Sequence, residues 1–288
     1  MHWSDRRRRF RAVLEGHRCV HPGSVHDPIS ARIAEDVGFE IGMLAGSVAS
    51  FTVLGAPDLI VMTLTEFAAQ AYRINRAGNL PLMVDADHGY GNALNVIRTV
   101  QELEIAGVSG LSIEDTNLPR PYNEPKPMLL SVEEGMGKMR AAVAGRQDPS
   151  LAIFARTSAP AISGTEDAIA RVRAYSATGV DAIFLVGIRD RAQLDAVSAA
   201  THLPIMIGGA TGELAEDLEY LASRKVRIAL QPHLPFSASV QALYVTMKAL
   251  RDGVAPKDVP GIASAALLKQ VTRETDFNRW TTEFLGGA

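Results

Sequence analysis

The chain has 288 residues, 47% of them apolar and 21% charged, with a formal net charge of −3. Those proportions exclude a disordered chain, and the near-balanced charge excludes a general field that would draw nucleic acid or anionic lipid. Cys19 is the sole cysteine, which excludes an intrachain disulfide, and no apolar run reaches the roughly 18 residues of a membrane span, so the expected partners are small molecules and the expected compartment is the cytoplasm.

The first element is an amphipathic segment carrying Phe10, Val13 and Leu14, whose arginines Arg6 to Arg9 and Arg11 are expected on a solvated helix face. Eight short apolar runs follow, at 19–25, 41–46, 80–84, 110–114, 151–155, 181–186, 204–207 and 226–230, each leading into a longer helical pattern. None alternates apolar with polar residues, so each reads as a parallel strand buried on both faces. Residues 93–107 show helical spacing through Leu94, Ile97, Val100 and Leu103. Residues 166–179 repeat the plan with Ile169, Val172 and Tyr175, and Gly107 and Gly179 close the two helices where a positive φ is wanted. Eight βα units predict an α/β fold, a (β/α)8 TIM-type barrel in a single domain over 1–288; an open doubly wound sheet would carry a glycine-rich loop after its first strand, and none follows Val25. Beyond the eighth unit, 237–250 reads as one more helix. The tail at 262–288, with Leu267, Leu268, Val271, Phe277, Trp280 and Phe284, is too apolar to stand free and is expected to pack on the barrel or on a partner subunit.

In a parallel barrel the reactive groups stand at the carboxyl ends of the strands, where the loops converge on one mouth. In chain order those ends carry His26 and Asp27, Gly46 and Ser47, Asp85, Asp87 and His88, Glu114 and Asp115, Arg156, and His233. In the segment from Val84 to Asn92, Asp85 and Asp87 leave a strand on the same side, and Gly89 and Gly91 let the chain turn sharply beside them. Glu114 and Asp115 bring a further pair, and Asp58 adds another from the loop after the second strand. An aspartate at such a junction also serves as a helix N-cap, worth about 1 kcal/mol, but caps require neither clustering nor glycines. Several carboxylates in one mouth repel each other unless a cation or shared protons neutralise them, and an oxygen-only set points to Mg2+, with Mn2+ as the substitute. Arg156 ends an otherwise apolar run, which is costly unless an anion meets its guanidinium. Ser47 and the amides beside it, between Gly46 and Val48, offer a cradle for a carboxylate, with an ordinary helix cap as the other reading. His233 ends the eighth unit as a donor to substrate or as a structural histidine.

These residues carry a resemblance. Ser24 to Arg32, Gly46 to Ser50, Asp85 to Asn92, Ile113 to Thr116, Glu133 to Gly135, Ala155 to Thr157 and His233 resemble the phosphoenolpyruvate mutase / isocitrate lyase superfamily, within it the oxaloacetate decarboxylase branch. The resemblance implies a barrel whose C-terminal helix is exchanged between subunits of a homo-oligomer, a dimer of dimers. It also implies Mg2+ held by Asp85, Asp87 and Glu114 with Asp58 nearby, and a 2-oxo acid carboxylate held at Gly46, Ser47 and Val48, with Arg156 on the substrate. The cysteine of the isocitrate and methylisocitrate lyases is absent after Asp115, and Thr116 stands where phosphonopyruvate enzymes carry lysine. Residues 208–212 are small where decarboxylase relatives carry bulkier polar ones, and Gln231-Pro232-His233 differs from their Asn-Gly-His.

The expected reaction is Mg2+-dependent decarboxylation of oxaloacetate, a 2-oxo dicarboxylate, to pyruvate and CO2 through an enolate, with Arg156 and His233 as the catalytic residues. The alternatives are a retro-aldol lyase of a related dicarboxylate, of the methylisocitrate or dimethylmalate type, and a non-catalytic dicarboxylate binder.

Overall fold

Each of the eight apolar runs forms a strand in the computed structural model, which describes residues 2–286. The strands are β1 (Gly23–Ser24), β2 (Gly42–Leu44), β3 (Leu82–Asp85), β4 (Gly110–Glu114), β5 (Ala152–Thr157), β6 (Ala182–Val186), β7 (Ile205–Gly208) and β8 (Val226–Ala229). They make one sheet in sequence order, every neighbour parallel. The sheet curls until its two edges meet: Val20 N–H donates to the Arg227 carbonyl and Ala229 N–H to the Val20 carbonyl, both at 3.0 Å. Of the run at 19–25, then, two residues lie in the strand proper, while Val20 bridges the last strand.

Two apolar layers follow from the two-residue period of the strands. Met43, Met83, Phe154, Phe184, Met206 and Ile228 share one buried cluster inside the curl, while Leu44, Val84, Leu111, Ile113, Ile153 and Ile183 belong to a second cluster shared with the helices. The inner cluster is completed by Phe10 and Leu14 from the helix Trp3–Glu15. Phe10 meets Phe154 edge-on, with ring centroids 6.0 Å apart, and lies so close to Gly110 that a Cβ there would come within 2.7 Å of its ring.

That docking overturns the solvated reading for Arg6 and Arg7, while Arg8 and Arg9 are exposed as expected. Arg6 and Arg7 are buried, and their guanidiniums answer backbone carbonyls left open near helix ends. Arg6 donates to the Asn75 carbonyl, and Arg7 to the carbonyls of Val108 at 2.9 Å and Glu104 at 2.6 Å and to the Asp148 carboxylate at 2.7 Å. Arg11 joins the Ser150 carbonyl and Asp181, both at 2.9 Å. Arg6, Arg7 and Arg11 form a plug of donors placed by Phe10 and Leu14, a long-range arrangement that charge spacing alone does not reveal.

The helices at Ala93–Ile105 and Thr165–Ser176 match the expected periods, and Gly107 and Gly179 follow them at φ of 85° and 92°. The chain forms two compact units that divide between Pro232 and His233. In the second, the expected helix at 237–250 begins one turn earlier, as Leu234–Arg251, because Pro235 is tolerated in a first turn. The tail makes two helices, Ala265–Thr272 and Glu274–Leu285, separated at Arg273, whose φ of 61° breaks the run. Helix Leu234–Arg251 buries none of its side chains, and the tail helices leave Leu267, Leu268, Phe277, Trp280 and Phe284 exposed.

Candidate active site

The inner face that carries Met83, Phe154 and Phe184 low in the sheet carries polar groups at its carboxyl end. Asp85 ends β3 opposite Ser112 on β4, and Glu114 ends β4 opposite Arg156 on β5. Each is two residues beyond an inward neighbour, so the pleat aims all four at one place. Arg156 stands between the carboxylates. Its Nη1 donates to Asp85 Oδ2, lies 3.5 Å from Glu114 Oε1, and its guanidinium carbon sits 5.4 Å from the Phe184 ring centroid. The second oxygen of each acid meets a hydroxyl: Ser112 Oγ donates to Asp85 Oδ1 at 2.9 Å, and Thr116 Oγ1 to Glu114 Oε2.

Asp87 reaches the cluster from a strained loop. It takes φ 48°, and Tyr90 takes φ 60°, both in the left-handed region that side chains rarely adopt, while Gly89 and Gly91 turn at 75° and 146°. Two contacts fix this bend: the Asp87 amide donates to Asp85 Oδ1 at 3.3 Å, and the Glu114 amide to the Asp87 carbonyl at 2.8 Å. The Asp87 carboxylate lies against Gly46, where a Cβ would come within 2.6 Å of Oδ1. Gly46 opens the helix Gly46–Val53, so Ser47 and Val48 follow in its first turn, and the N-cap Ala45 supplies no side-chain acceptor for the amides there. The sequence-predicted cradle is thereby brought beside Asp87. Asp58 lies on an exposed loop, close enough for Asp85 to act on its charge.

Electrostatics follow from this crowding. Burial, then Asp85 and Glu114, push the Asp87 carboxyl well above the usual carboxylate range. Burial also raises Glu114, with Asp85 adding to it against the pull of Arg156 and Thr116. Asp58 is raised as well, by partial desolvation and then by Asp85, against the pull of Arg156. Burial works against the charge of Arg156, but Asp85, Glu114 and Asp87 outweigh it and hold the guanidinium cationic. Arg156 therefore faces four carboxyl groups, and the excess is what a divalent ion or shared protons would relieve. Among the described residues no three His, Cys, Asp or Glu side chains surround a common point at ligating distance. The guanidinium, not a vacant centre, separates Asp85 from Glu114.

Other expected residues go elsewhere. Asp115 is chain neighbour to Glu114 but points to the opposite face, where its Oδ2 accepts from Tyr175 at 2.7 Å and from Arg171 at 3.0 Å. Asp27 caps the helix Pro28–Asp36, accepting from the Ser30 amide at 2.6 Å. His88 is buried, and burial together with Lys138 drives its pKa down to about 4, so it is neutral. His233 precedes the helix Leu234–Arg251 as the first residue of the second unit. Residues that the sequence did not single out also surround the acids. Lys138 is buried on the helix Val132–Gly145, where burial lowers its pKa and Glu114 leads the groups that oppose this. Its signal was a lysine on the stripe of Gly135, Met139 and Ala142. Ser112 carried no signal, because serine is common everywhere, and Thr116 stood out only as the residue where phosphonopyruvate enzymes carry lysine, not as a partner of Glu114.

The profile of a family described as phosphoenolpyruvate phosphomutase matches residues 10–251. The chain is 56% identical over 286 residues to a protein of Bradyrhizobium diazoefficiens named oxaloacetate decarboxylase, covering 99% of each chain. Among solved structures it is similar to phosphonopyruvate hydrolase in complex with oxalate and Mg2+, with TM-score 0.85, 26% identity, and 97% of this chain and 99% of that one covered. Oxaloacetate acetylhydrolase in complex with 3,3-difluorooxalacetate gives TM-score 0.85 and 26% identity, over 99% of this chain and 98% of that one.

Proposed function

Because this chain belongs to the phosphoenolpyruvate phosphomutase family, we propose that it decarboxylates oxaloacetate to pyruvate and CO2, as a carbon–carbon lyase. The observation that carries the reading is the meeting of Asp85, Glu114 and Arg156 at the ends of three successive strands, with Asp87 against Gly46 beside them.

Asp85, Asp87 and Glu114, with Asp58 nearby, would hold Mg2+, and Mn2+ could substitute, because the donors are all hard oxygens. When bound, the ion supplies Lewis acidity toward the substrate's 2-oxo oxygen, worth several kcal/mol in such reactions. Ser47, with the amides of Gly46 and Val48, receives the C1 carboxylate at the positive end of its helix. Arg156 would stabilise the oxygen that becomes anionic as the C3–C4 bond breaks and its electron pair passes into the enolate. Water accounts for the C3 proton, delivered by His233 or by a water that it orients; contact with the C4 carboxylate is the other proposed task of His233. The neutral His88 and the outward-facing Asp115 are left to structural work.

The test is release of pyruvate from oxaloacetate by the purified protein with and without Mg2+. Asp85→Asn and Arg156→Ala should each drop the rate to that of free metal. Turnover that survives exhaustive chelation would end the reading. The ends of β6 and β7 carry Gly187, Gly208 and Gly209, and a Cβ at Gly209 would find only the Gly187 nitrogen, at 3.7 Å. Room beside Gly209 would suit a substrate bulkier than oxaloacetate. A panel of C4 to C7 dicarboxylates therefore belongs to the test: strong turnover of a branched acid with little on oxaloacetate would favour the retro-aldol alternative, and tight Mg2+-dependent binding without turnover a dicarboxylate binder.

We also propose that the curled sheet is a TIM-type barrel acting as one domain over 1–288, that the C-terminal helix is exchanged between subunits of a dimer of dimers, and that the protein works in the cytoplasm. The exposed apolar helices after Pro232 support the exchange, and no described helix is long and apolar enough to cross a membrane.

A further inference from the structure

Asp85 and Glu114 share a bonding plan. Each gives one oxygen to Arg156 and the other to a neutral hydroxyl from β4 or the residues just after it, with the Asp87 amide as a longer second donor to Asp85 Oδ1, at 3.3 Å. Ser112 has no exposed surface, and its hydroxyl bonds Asp85 Oδ1 at 2.9 Å. Thr116 is buried, its backbone bridged to Leu129, and its hydroxyl bonds Glu114 Oε2. A carboxylate held at one oxygen can still rotate about its Cβ–Cγ or Cγ–Cδ bond; a donor on the second oxygen stops that rotation. Each ionised carboxyl accepts about four hydrogen bonds, so both keep accepting capacity toward the mouth. The choice of donor matters as well. A lysine or arginine in place of either hydroxyl would orient the acid equally well but add to the positive charge that Arg156 already brings and leave less for a divalent ion, whereas serine and threonine orient without adding charge.

Resting on the functional reading above, we infer that Ser112 and Thr116 are positioning residues that fix the Asp85 and Glu114 carboxylates for Mg2+ while leaving their charge intact. Outer-shell partners of metal ligands typically change metal affinity or activity about 10- to 100-fold when lost. Ser112→Ala and Thr116→Val each remove a hydroxyl while nearly preserving shape, and Thr116→Ser keeps it.

The experiment is calorimetric titration of Mg2+ into the chelator-stripped full-length protein, with melting of the metal-free form and oxaloacetate turnover followed in parallel. Ser112→Ala and Thr116→Val should each weaken Mg2+ binding about tenfold. Thr116→Ser should bind as the wild type does, and the metal-free melting temperature should stay near wild type throughout. A purely structural role predicts the reverse, earlier melting with unchanged Mg2+ affinity. If Ser112→Ala melts early, the contrast between Thr116→Val and Thr116→Ser decides. Wild-type protein that binds Mg2+ and decarboxylates, with both hydroxyl-free variants matching it, overturns this inference alone. Wild-type protein that binds no Mg2+ overturns the functional reading and this inference together.

Discussion

Glu114 and Asp115 are adjacent carboxylates with opposite surroundings, the first facing Arg156 inside the sheet and the second facing Arg171 and Tyr175 among the helices. The pleat alone separates them, so residue type at this strand end says less than register does. The same care applies to pH. Asp148 is a carboxylate that burial would raise, but the Ser150 hydroxyl at 2.5 Å, Arg7 at 2.7 Å and Ser4 at 2.9 Å outweigh burial and hold it well below the usual range. A depressed folded pKa contributes stability that is present above the unfolded value, near 3.9 for aspartate, and is lost as pH falls through the folded one. Asp148→Asn should therefore cost about 1–3 kcal/mol in urea unfolding at pH 7, and the gap to wild type should close as pH drops below about 4. A gap that stays constant into acid would mean that the charge is not what stabilises this corner.

At the scale of elements, the decisive contact is between a helix start and a loop. Gly46 opens its helix against the Asp87 carboxylate, and the missing Cβ is what allows the approach. Gly46→Ala should push Asp87 aside, raising the Mg2+ concentration for half-maximal turnover about tenfold or more while leaving far-UV circular dichroism unchanged; wild-type Mg2+ dependence would show that Asp87 adapts without loss. The glycine was visible in the sequence, and so were the eight strands, because runs buried on both faces carry no other pattern. The loop from Asp85 to Gly91 announced itself by its acids and glycines. What stayed hidden depends on contacts far apart in the chain. The burial of Arg6 and Arg7 is set by carbonyls at Asn75, Glu104 and Val108, some 70 to 100 residues away. The centring of Arg156 between Asp85 and Glu114 depends on the register of three strands, which a run of apolar residues cannot specify.

For the molecule as a whole, the two units divide the work unequally. The sheet unit carries two large buried apolar clusters, whereas among the described residues after His233 Val271 is one of very few apolar side chains well buried. Leu234, Leu243, Tyr244, Met247, Phe277, Trp280 and Phe284 are all exposed on the single chain. Clustered exposed apolar surface of this kind marks an interaction site rather than a stable monomer surface, since each fully covered large side chain is worth about 1.5–3 kcal/mol. The proposed occupant is a second copy of the same chain, in a closed symmetric assembly. Sedimentation equilibrium of the full-length protein should then give a multiple of the 30.9 kDa chain mass. Truncation after Pro260 removes the two tail helices without touching the strands, and it should lower that multiple or cause aggregation. Charged replacements at Phe277 and Trp280 should weaken the assembly in the same direction, with the Mg2+ affinity of the remaining protein unchanged. A full-length protein that sediments at the mass of one chain at micromolar concentration would leave this surface uncovered and sink the exchange of helices along with it.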